Sequence, residues 1–220
     1  MPVIKRHSFL KRHRGMSRSA FSRHYLEHHG PLAASLAGFR QYAFRYLQNH
    51  IDEDLTGAGD PPFDGLTMTF QLPREDYRQG FFQHPDYANV RPDEEYLFDL
   101  SATVSVLGEE NILFGRGMKG EKAIIASSRG PAGANCDLPR DAVEKYGLRQ
   151  VICNQLDTST ASALGFGTSA ISFNCLWEIY FASSNARRAA CCDHDFLAQL
   201  SLQTQDAQPL VLAAREFTIF

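Results

Sequence analysis

Apolar side chains recur at helical spacing between residues 17 and 32, and this stretch carries the strongest pattern in the chain. Its apolar stripe consists of Phe21, Tyr25, His28 or His29, and Leu32. Residues three or four apart share one face of a helix, so this face is expected to pack against a neighbouring element. Ser17 or Ser19 can cap the helix start, and Gly30-Pro31 is predicted to end the helix. At least one imidazole should therefore point toward the core, where a polar group needs a partner or a ligand.

The rest of the chain alternates short apolar runs, which predict β-strands, with polar or helical segments. In the first half, strands are predicted at residues 2–10, 38–50, 63–72 and 102–114, with a helical region at 74–100 that breaks near Pro85 and Pro92. In the second half, strands are predicted at 122–127, 148–156, 171–182 and 210–220, with helices at 139–146 and 185–200. The order of elements is therefore similar in the two halves.

Two short sequence matches accompany this similar order. Residues 38–41 resemble residues 147–150 at an offset of 109, and residues 63–66 resemble residues 173–176 at an offset of 110. Two matches at nearly one offset, with the same element order, indicate an internal duplication. We therefore predict an α+β fold of two tandem ferredoxin-like repeats, residues 1–117 and 118–220, whose antiparallel sheets pack into one α/β barrel with the helices outside.

Composition points to an ordinary globular domain. The chain of 220 residues is 44% hydrophobic and 21% charged, and no apolar run approaches the ~18 residues that a membrane helix needs. The N-terminus becomes charged too early for a signal peptide. The five cysteines are odd in number, and Cys191 and Cys192 are adjacent, which does not suit a disulfide framework. We expect a reducing, cytoplasmic setting and no membrane partner.

Charge is distributed unevenly along the chain. The first 50 residues carry a net charge of +8 and six of the eight histidines, whereas the chain as a whole carries −3. A basic start can indicate a nucleic-acid arm, but Ile4, Phe9 and Leu10 interrupt it, and no cluster of stacking aromatics accompanies it. We therefore expect no nucleic-acid partner. A basic rim that attracts an anionic or phenolate small molecule is the better interpretation.

Several motifs in the first half occur in a recognisable order. The pattern Phe21-x-x-x-Tyr25-x-x-x-His29-Gly30-Pro31-Leu32 is followed by Gly38-Phe39-Arg40, by a strand ending at Asn49-His50, and by Asp64-Gly65. This set resembles the EthD domain, a family of the dimeric α/β barrel group. The resemblance is strongest over residues 3–70, and the remainder looks like a weaker second copy, as in the double-length members found in fungi.

The resemblance implies an activity as well as a fold. It implies an enzyme of secondary metabolism that modifies an aromatic polyketide without a cofactor, as a dehydratase or decarboxylase, both of which are lyases, or as a cyclase. Alternatives are a non-catalytic protein that binds the ligand or a partner enzyme, and a haem-binding barrel, as some relatives in the superfamily are. A homodimer is compatible with this group.

His29 is the candidate general acid/base, because an imidazole with a pKa near ~6.5 can both take and give a proton near neutrality. Tyr25, one turn earlier, can bind a substrate carbonyl or phenol. His50 and Asp64 can orient His29 or relay a proton. The alternative is that His29 is a helix-end histidine bound to a backbone carbonyl, and that Tyr25 belongs to the core. Further substrate-binding candidates are Phe21, Arg40, Tyr42, Phe44, Phe70 and Trp177.

The second half lacks the His-x-Pro element, so we predict one working site, in the first half. Two other motifs are rejected. His24-x-x-Glu27-His28 has the spacing of an inverted zinc-protease signature, but no third ligand is evident in the sequence and its surroundings are basic, so we expect no metal. Residues 115–120 form a Gly-x-Gly-x-x-Gly pattern, but a strand-like segment follows instead of a helix, which favours a linker between the halves.

Overall fold

The computed structural model describes residues 2–56, 59–72, 74–76, 80–115, 117, 120–128, 140–162, 171–199 and 209–220. In this part of the chain, eight antiparallel strands close into a barrel. They are β1 (Val3–Leu10), β2 (Ala43–Asp54), β3 (Gly65–Gln71), β4 (Val104–Phe114), β5 (Glu121–Ser127), β6 (Leu148–Ser162), β7 (Cys175–Phe181) and β8 (Leu210–Thr218). Around the barrel the strands follow the order β1-β3-β2-β8-β5-β7-β6-β4.

Short helices connect the strands. They are α1 (Arg18–His24), a π-helical turn (Tyr25–His29), α2 (Gly30–Ser35), α3 (Ala37–Arg40), a 3₁₀ turn (Gly80–Gln83), α4 (Tyr87–Leu97), α5 (Arg140–Lys145), α6 (Ser184–Cys191) and α7 (His194–Gln199). This architecture confirms an antiparallel barrel of the α+β class. No helix in the described ranges combines the length and apolar character that crossing a membrane would require.

Strand alternation separates the barrel interior from the face that the helices cover. On β1, Phe9 belongs to the apolar core inside the barrel, together with Leu66, Met68 and residues from the second half. The next residue, Leu10, instead packs with side chains of α1 and the end of α4. Successive side chains of a strand point to opposite faces, so each strand contributes to both layers.

The barrel interior also holds a network of buried charges. Lys5 donates to Glu178 at 2.6 Å and lies 2.5 Å from Glu110. Lys122 donates to the other oxygen of Glu178 at 2.7 Å and to Glu216 at 2.5 Å. Burial disfavours the charge on Glu178, but the two lysines outweigh it and lower the pKa of its carboxyl well below the usual value. A buried charge persists only when it is paired in this way.

The four strands of each half have the same spatial order, and the register between strands extends the correspondence to single residues. The order is β4-β1-β3-β2 in the first half and β8-β5-β7-β6 in the second. Lys5 lies opposite Phe70, and Lys122 lies opposite Tyr180, which follows Phe70 by 110 positions. This is the offset found between residues 63–66 and 173–176. The other match, at an offset of 109, is not reproduced: Gln150 lies opposite Tyr180 as Arg45 lies opposite Phe70, which is an offset of 105. The correspondence supports a duplication, whereas the ferredoxin-like nature of each unit stays a prediction.

Three predictions of local structure are wrong. The first helix does not end at Gly30-Pro31, because α2 begins there and runs to Ser35. The segment predicted as a strand from residue 38 begins as the helical turn α3, and β2 starts only at Ala43. Pro92 does not break α4 but lies inside it. Each boundary depends on tertiary packing, which local sequence rules do not include.

A π-helical turn explains how the first helix passes Pro31. Proline has no N–H to donate and its ring crowds the carbonyl four residues earlier, so a regular α-helix would be disrupted here. The chain instead widens, and the Gly30 N–H bonds to the Tyr25 carbonyl, five residues back. The same carbonyl accepts a 2.8 Å hydrogen bond from Gln48 Nε2 on β2. A side chain at Gly30 would come within 2.8 Å of that amide, so glycine permits this close approach.

Candidate active site

A cavity of about 70 Å³ lies in the first half, between the helix-covered face of the sheet and the helices. Its polar and titratable lining residues are Arg6, Ser8, His29, Tyr42, Tyr46, Thr67, Thr69, Gln71, Tyr87 and Glu94. Its apolar lining residues are Leu10, Ala33, Phe39, Ala43, Phe81, Phe82, Val90 and Phe98. Apolar and aromatic side chains that surround converging polar groups are typical of a small-molecule site.

The His29 ring forms part of the cavity wall and is buried. Its Nδ1 lies 2.8 Å from Asp93 Oδ2 on α4, and its ring packs edge-on against Phe98. Because a carboxylate accepts hydrogen bonds, this contact places the ring proton on Nδ1. The other ring nitrogen, Nε2, is then the atom that can exchange a proton with a ligand.

Asp93 joins two histidines of the first helix. Its Oδ1 lies 2.6 Å from His24 Nε2, while its Oδ2 contacts His29. Burial would raise the pKa of the Asp93 carboxyl, but hydrogen bonds from His29 and His24 outweigh burial and lower this pKa. An ionised Asp93 is therefore available to hold the His29 ring in one orientation and one tautomer.

Glu94, the next residue on α4, is a second titratable group in the cavity wall. It is buried, and burial raises the pKa of its carboxyl to about 7, although the hydrogen bond from the Tyr87 hydroxyl and the charge of Arg91 act in the opposite direction. A carboxyl with such a pKa can act as an acid or a base near neutrality. Perturbed carboxyls in a cavity are candidate functional groups.

Arg6 brings a positive charge to the same cavity. Its guanidinium is buried, and burial lowers its pKa to about 10. One face lies 5.1 Å from the Phe82 ring centre, and Gly80 packs closely beside it. The planar guanidinium is suited to binding a carboxylate or an oxyanion that develops during a reaction.

Tyr25 is placed behind the cavity wall. Its side chain is fully buried, and its hydroxyl lies 2.5 Å from Thr67 Oγ1. Burial raises the pKa of this phenol well above its usual value, so it stays protonated. Thr67 lines the cavity, so Tyr25 contacts the site through Thr67 and supports it from the second layer of side chains.

His50 and Asp64 do not line the cavity. His50 bonds through Nδ1 to the Ser22 hydroxyl at 2.6 Å, and burial, with a smaller effect of Arg215, lowers its pKa to about 4. Asp64 is buried in an ion-pair cluster with Arg12, Lys11 and Arg18. Neither side chain hydrogen-bonds to His29 in the structure. The residue that does is Asp93, so the structure does not bring His50 and Asp64 together with His29 as the sequence had suggested.

Of the six predicted substrate-binding residues, only Tyr42 lines the cavity. Phe21 packs behind Tyr25, and Phe70 belongs to the core inside the barrel. Arg40 lies over the Phe220 ring and donates to the Ala34 carbonyl. Phe44 is 52% exposed, and Trp177 is buried in the second half. Aromatic content alone could not separate lining residues from core residues.

Among the described residues of the second half, large buried side chains stand at positions that line the cavity in the first half. At the offset of 110, the lining residues Thr67, Thr69 and Gln71 correspond to Trp177, Ile179 and Phe181, all of which are fully buried. Phe196 and Tyr146 pack into the same cluster. Small polar residues on β3 therefore leave room, and large apolar residues on β7 occupy it.

Arg6, Asp93 and Glu94 are the functional candidates that sequence reasoning missed. The two acids belong to the acidic run 93–95, which follows Pro92 and resembles an ordinary solvated helix face. Only the packing of α4 against the π-helical turn turns two of these acids inward.

His24, His28 and Asp93 also place one ligand atom each within 4.8 Å of one another, so they could hold a metal ion. Residues 165–169, whose Gly-Phe-Gly-Thr-Ser sequence predicts a flexible loop, lie outside the described residues.

Comparisons with known proteins agree with the architecture. A sequence model of the EthD domain matches residues 13–101. No curated protein matches the chain by sequence. Among solved structures, an anthrone oxidase-like protein has a TM-score of 0.59 at 9% identity, and the match covers 99% of this chain and 93% of that protein's chain. A candidate monooxygenase from Fusobacterium nucleatum has a TM-score of 0.53 at 10% identity, and the match covers 98% of this chain and 92% of that protein's chain. A candidate monooxygenase from Lactobacillus acidophilus has a TM-score of 0.50 at 7% identity, and the match covers 99% of this chain and 96% of that protein's chain. At these identities the likeness establishes the fold alone.

Proposed function

We propose, from the premise that residues 13–101 of this chain form an EthD domain, that the protein is an acid–base lyase acting on an aromatic polyketide, and that it removes water from a β-hydroxy ketone. The observation that carries the proposal is the buried His29 ring, which lines the cavity while Asp93 holds its Nδ1. The chain's own side chains supply the acid and the base.

Dehydration needs two proton-transfer groups in one cavity. His29 Nε2 takes the proton from the carbon next to the substrate carbonyl, and the electron pair of that C–H bond forms the new double bond. The β-hydroxyl leaves as water, with a proton donated by Glu94, whose neutral form is favoured by burial. Asp93 stabilises the imidazolium that forms on His29.

Arg6 completes the proposed site by binding oxygen. Removal of the α-proton places negative charge on the substrate carbonyl, and a buried guanidinium stabilises such an oxyanion more strongly than water does. The same cation favours a second candidate reaction, decarboxylation of a β-keto or ortho-phenolic acid. There Arg6 binds the enolate that remains after carbon dioxide leaves, and His29 returns a proton to carbon.

The size of the cavity limits the substrate. At about 70 Å³ it is smaller than the ~150 Å³ apolar cavity that accepts benzene in an engineered protein. One aromatic ring can therefore enter only if lining side chains move. Phe82 lines the cavity and is only partly buried, so it is the side chain we expect to move first. A substrate with several fused rings would leave part of its surface outside.

The similar strand orders of the two halves support the rest of the proposal. We infer that two ferredoxin-like units arose by duplication and that the first kept its cavity while the second became its structural partner. The large side chains Trp177 and Phe181 on β7 support this division of roles. The site then requires the whole barrel, because β2 of the first half pairs with β8 of the second.

The names of the solved structures suggest a rival reaction, oxygenation, and the test separates the two. Aromatic β-hydroxy ketones are incubated with the protein with and without oxygen, and products are analysed by mass spectrometry. Loss of one water, independent of oxygen, is expected, and His29→Gln should lower kcat by roughly 10²–10⁴. His194→Gln, a change at an exposed histidine of the second half, is the control. Oxygen-dependent turnover, or tight binding without turnover, would overturn the proposal.

A further inference from the structure

We propose that His24, His28 and Asp93 form a binding site for one divalent transition-metal ion beside the cavity. The three side chains offer two imidazole nitrogens and one carboxylate oxygen, all within 4.8 Å of one another. The inference concerns binding of the ion and does not depend on the proposed lyase reaction.

The distances are close to those of a metal site. His28 Nε2 lies 3.5 Å from Asp93 Oδ1, and the His24 and His28 ring centres are 4.7 Å apart. Ligand atoms bound at about 2.0–2.2 Å from a tetrahedral zinc ion lie roughly 3.3 Å apart from one another. The His24 Nε2 to Asp93 Oδ1 distance is 2.6 Å and must lengthen by a small ring rotation when a metal replaces the shared proton.

The backbone explains why these ligands converge. His24 and His28 are four residues apart, so they lie on one face of the first helix. His24 ends α1, and His28 lies in the π-helical turn that follows. The third ligand comes from α4, which packs against this turn and presents Asp93 to both rings. Local sequence patterns do not identify this ligand, because Asp93 lies 65 residues beyond His28.

The donor set indicates the kind of ion. Imidazole with carboxylate suits zinc, cobalt, nickel or ferrous iron, whereas magnesium and calcium prefer oxygen ligands alone. Three protein ligands leave at least one position for water or another ligand. The His28 side chain is 61% exposed and Asp93 only 9%, so an ion can enter from solvent while its anionic ligand stays largely screened from water.

The ion would also be connected to the cavity. Asp93 can bind the ion through Oδ1 while Oδ2 keeps its 2.8 Å contact with His29 Nδ1. A carboxylate that bridges a metal and a histidine is a common arrangement around metal centres. Binding would thus fix the Asp93 carboxylate without using His29 Nε2, the nitrogen assigned to proton transfer. This connection to catalysis rests on the proposed function, but the binding itself does not.

The test is titration of the full, tag-free chain with Co²⁺, followed by visible absorption, and competition with Zn²⁺. One ion per chain is expected, and Zn²⁺ should raise the Tm because it binds the native state. His28→Gln removes an exposed ligand with little risk to folding, and it should weaken Co²⁺ binding at least tenfold and abolish the Tm increase. His24→Gln should do the same, and circular dichroism checks that both variants remain folded.

Two controls separate this inference from the proposed function. His194→Gln removes an exposed histidine elsewhere and should leave Co²⁺ binding unchanged. His29→Gln should lose turnover but retain the ion, because His29 is not a ligand. The inference is overturned if the parent chain binds no Co²⁺ at millimolar concentration, or if His24→Gln and His28→Gln bind it as tightly as the parent. Either result would leave the lyase proposal untouched.

Discussion

Lys5 in the first half of the barrel occupies the position that Lys122 occupies in the second, and the two ammonium groups bind opposite oxygens of the Glu178 carboxylate. Each lysine also pairs with a glutamate of its own half, Glu110 or Glu216. At the offset of 110, the residue equivalent to Glu178 is Met68. The barrel is therefore symmetric in its lysine pairs and asymmetric in the one carboxylate that joins them.

Glu178→Met tests what this single carboxylate contributes. The change copies the residue of the other half, but it leaves two buried ammonium groups with one carboxylate each. Removing one partner of a buried ionic network typically costs about 3–5 kcal/mol. We expect the free energy of unfolding in urea to fall by roughly this amount. Met68→Leu, a change of similar volume at the equivalent position, should cost under about 1.5 kcal/mol. A Glu178→Met variant as stable as the parent would contradict this account.

His7 should make the protein sensitive to acid. Burial, with the charge of Lys5 as the next cause, lowers its pKa to about 3, and neither ring nitrogen has a hydrogen-bond partner among the described residues. In the unfolded chain a histidine has a pKa near ~6.5. Between these values the unfolded state binds more protons, so the free energy of unfolding falls as pH decreases from about 6.5 toward 3.

His7→Met should remove this part of the pH dependence. When the pH is lowered from 7 to 5, the free energy of unfolding of the parent is expected to fall by roughly 2 kcal/mol because of His7. The buried His50, whose pKa is lowered to about 4, should lower it by a similar amount. Urea unfolding at the two pH values measures the difference. Glu94, whose pKa is raised by burial to about 7, takes up its proton in the folded state over this range and offsets about 2 kcal/mol. The His7→Met variant should therefore lose nearly all of the parent's net decrease. An unchanged pH dependence would show that His7 is solvated or paired in solution.

Much of the fold follows from the sequence, because strand patterns and the repeat depend on local spacing. The eight predicted strands all exist, and residues 63–66 and 173–176 are aligned by the barrel at the predicted offset. Boundaries were less predictable where tertiary contacts decide them. The Tyr25 carbonyl, for example, is bonded to both the π-helical turn and Gln48 of β2, and no local rule anticipates that arrangement.

The site was predictable only in part. The helical stripe predicts that His28 or His29 faces the interior, and in the structure the buried ring is that of His29. Its partner Asp93 comes from another helix, 64 residues later, and a surface-like acidic run hides it. The sequence also suggests His50 and Asp64 as partners of His29. In the structure both are buried, but His50 is bonded to Ser22 and Asp64 is paired with Arg12. A single sequence cannot distinguish these pairings.

Asp64→Asn should weaken the fold without changing catalysis. Asp64 accepts hydrogen bonds from the Arg12 side chain and its backbone N–H, and it lies 3.3 Å from Lys11. The cations are partly exposed, which reduces their contribution, so we expect a loss of roughly 1–2 kcal/mol in the free energy of unfolding. The kcat of the folded variant should match that of the parent. A tenfold loss of kcat at full folding would return Asp64 to the active site.

Asp93→Asn is the sharpest test of the role assigned to His29. The carboxylate of Asp93 keeps the ring proton on Nδ1, so that Nε2 can accept a proton from the substrate. An amide at this position can instead donate its N–H to Nδ1, which moves the ring proton to Nε2 and blocks that step. We expect kcat to fall by roughly 10²–10⁴ with little change in KM. Assays contain a chelator, so that loss of a bound metal ion does not contribute.

Glu95→Gln makes the same acid-to-amide change on α4, at an exposed residue paired with Arg91, and should leave kcat unchanged. Equal kcat in the parent and the Asp93→Asn variant would mean that His29 does not need its carboxylate partner and that proton transfer takes place elsewhere in the cavity.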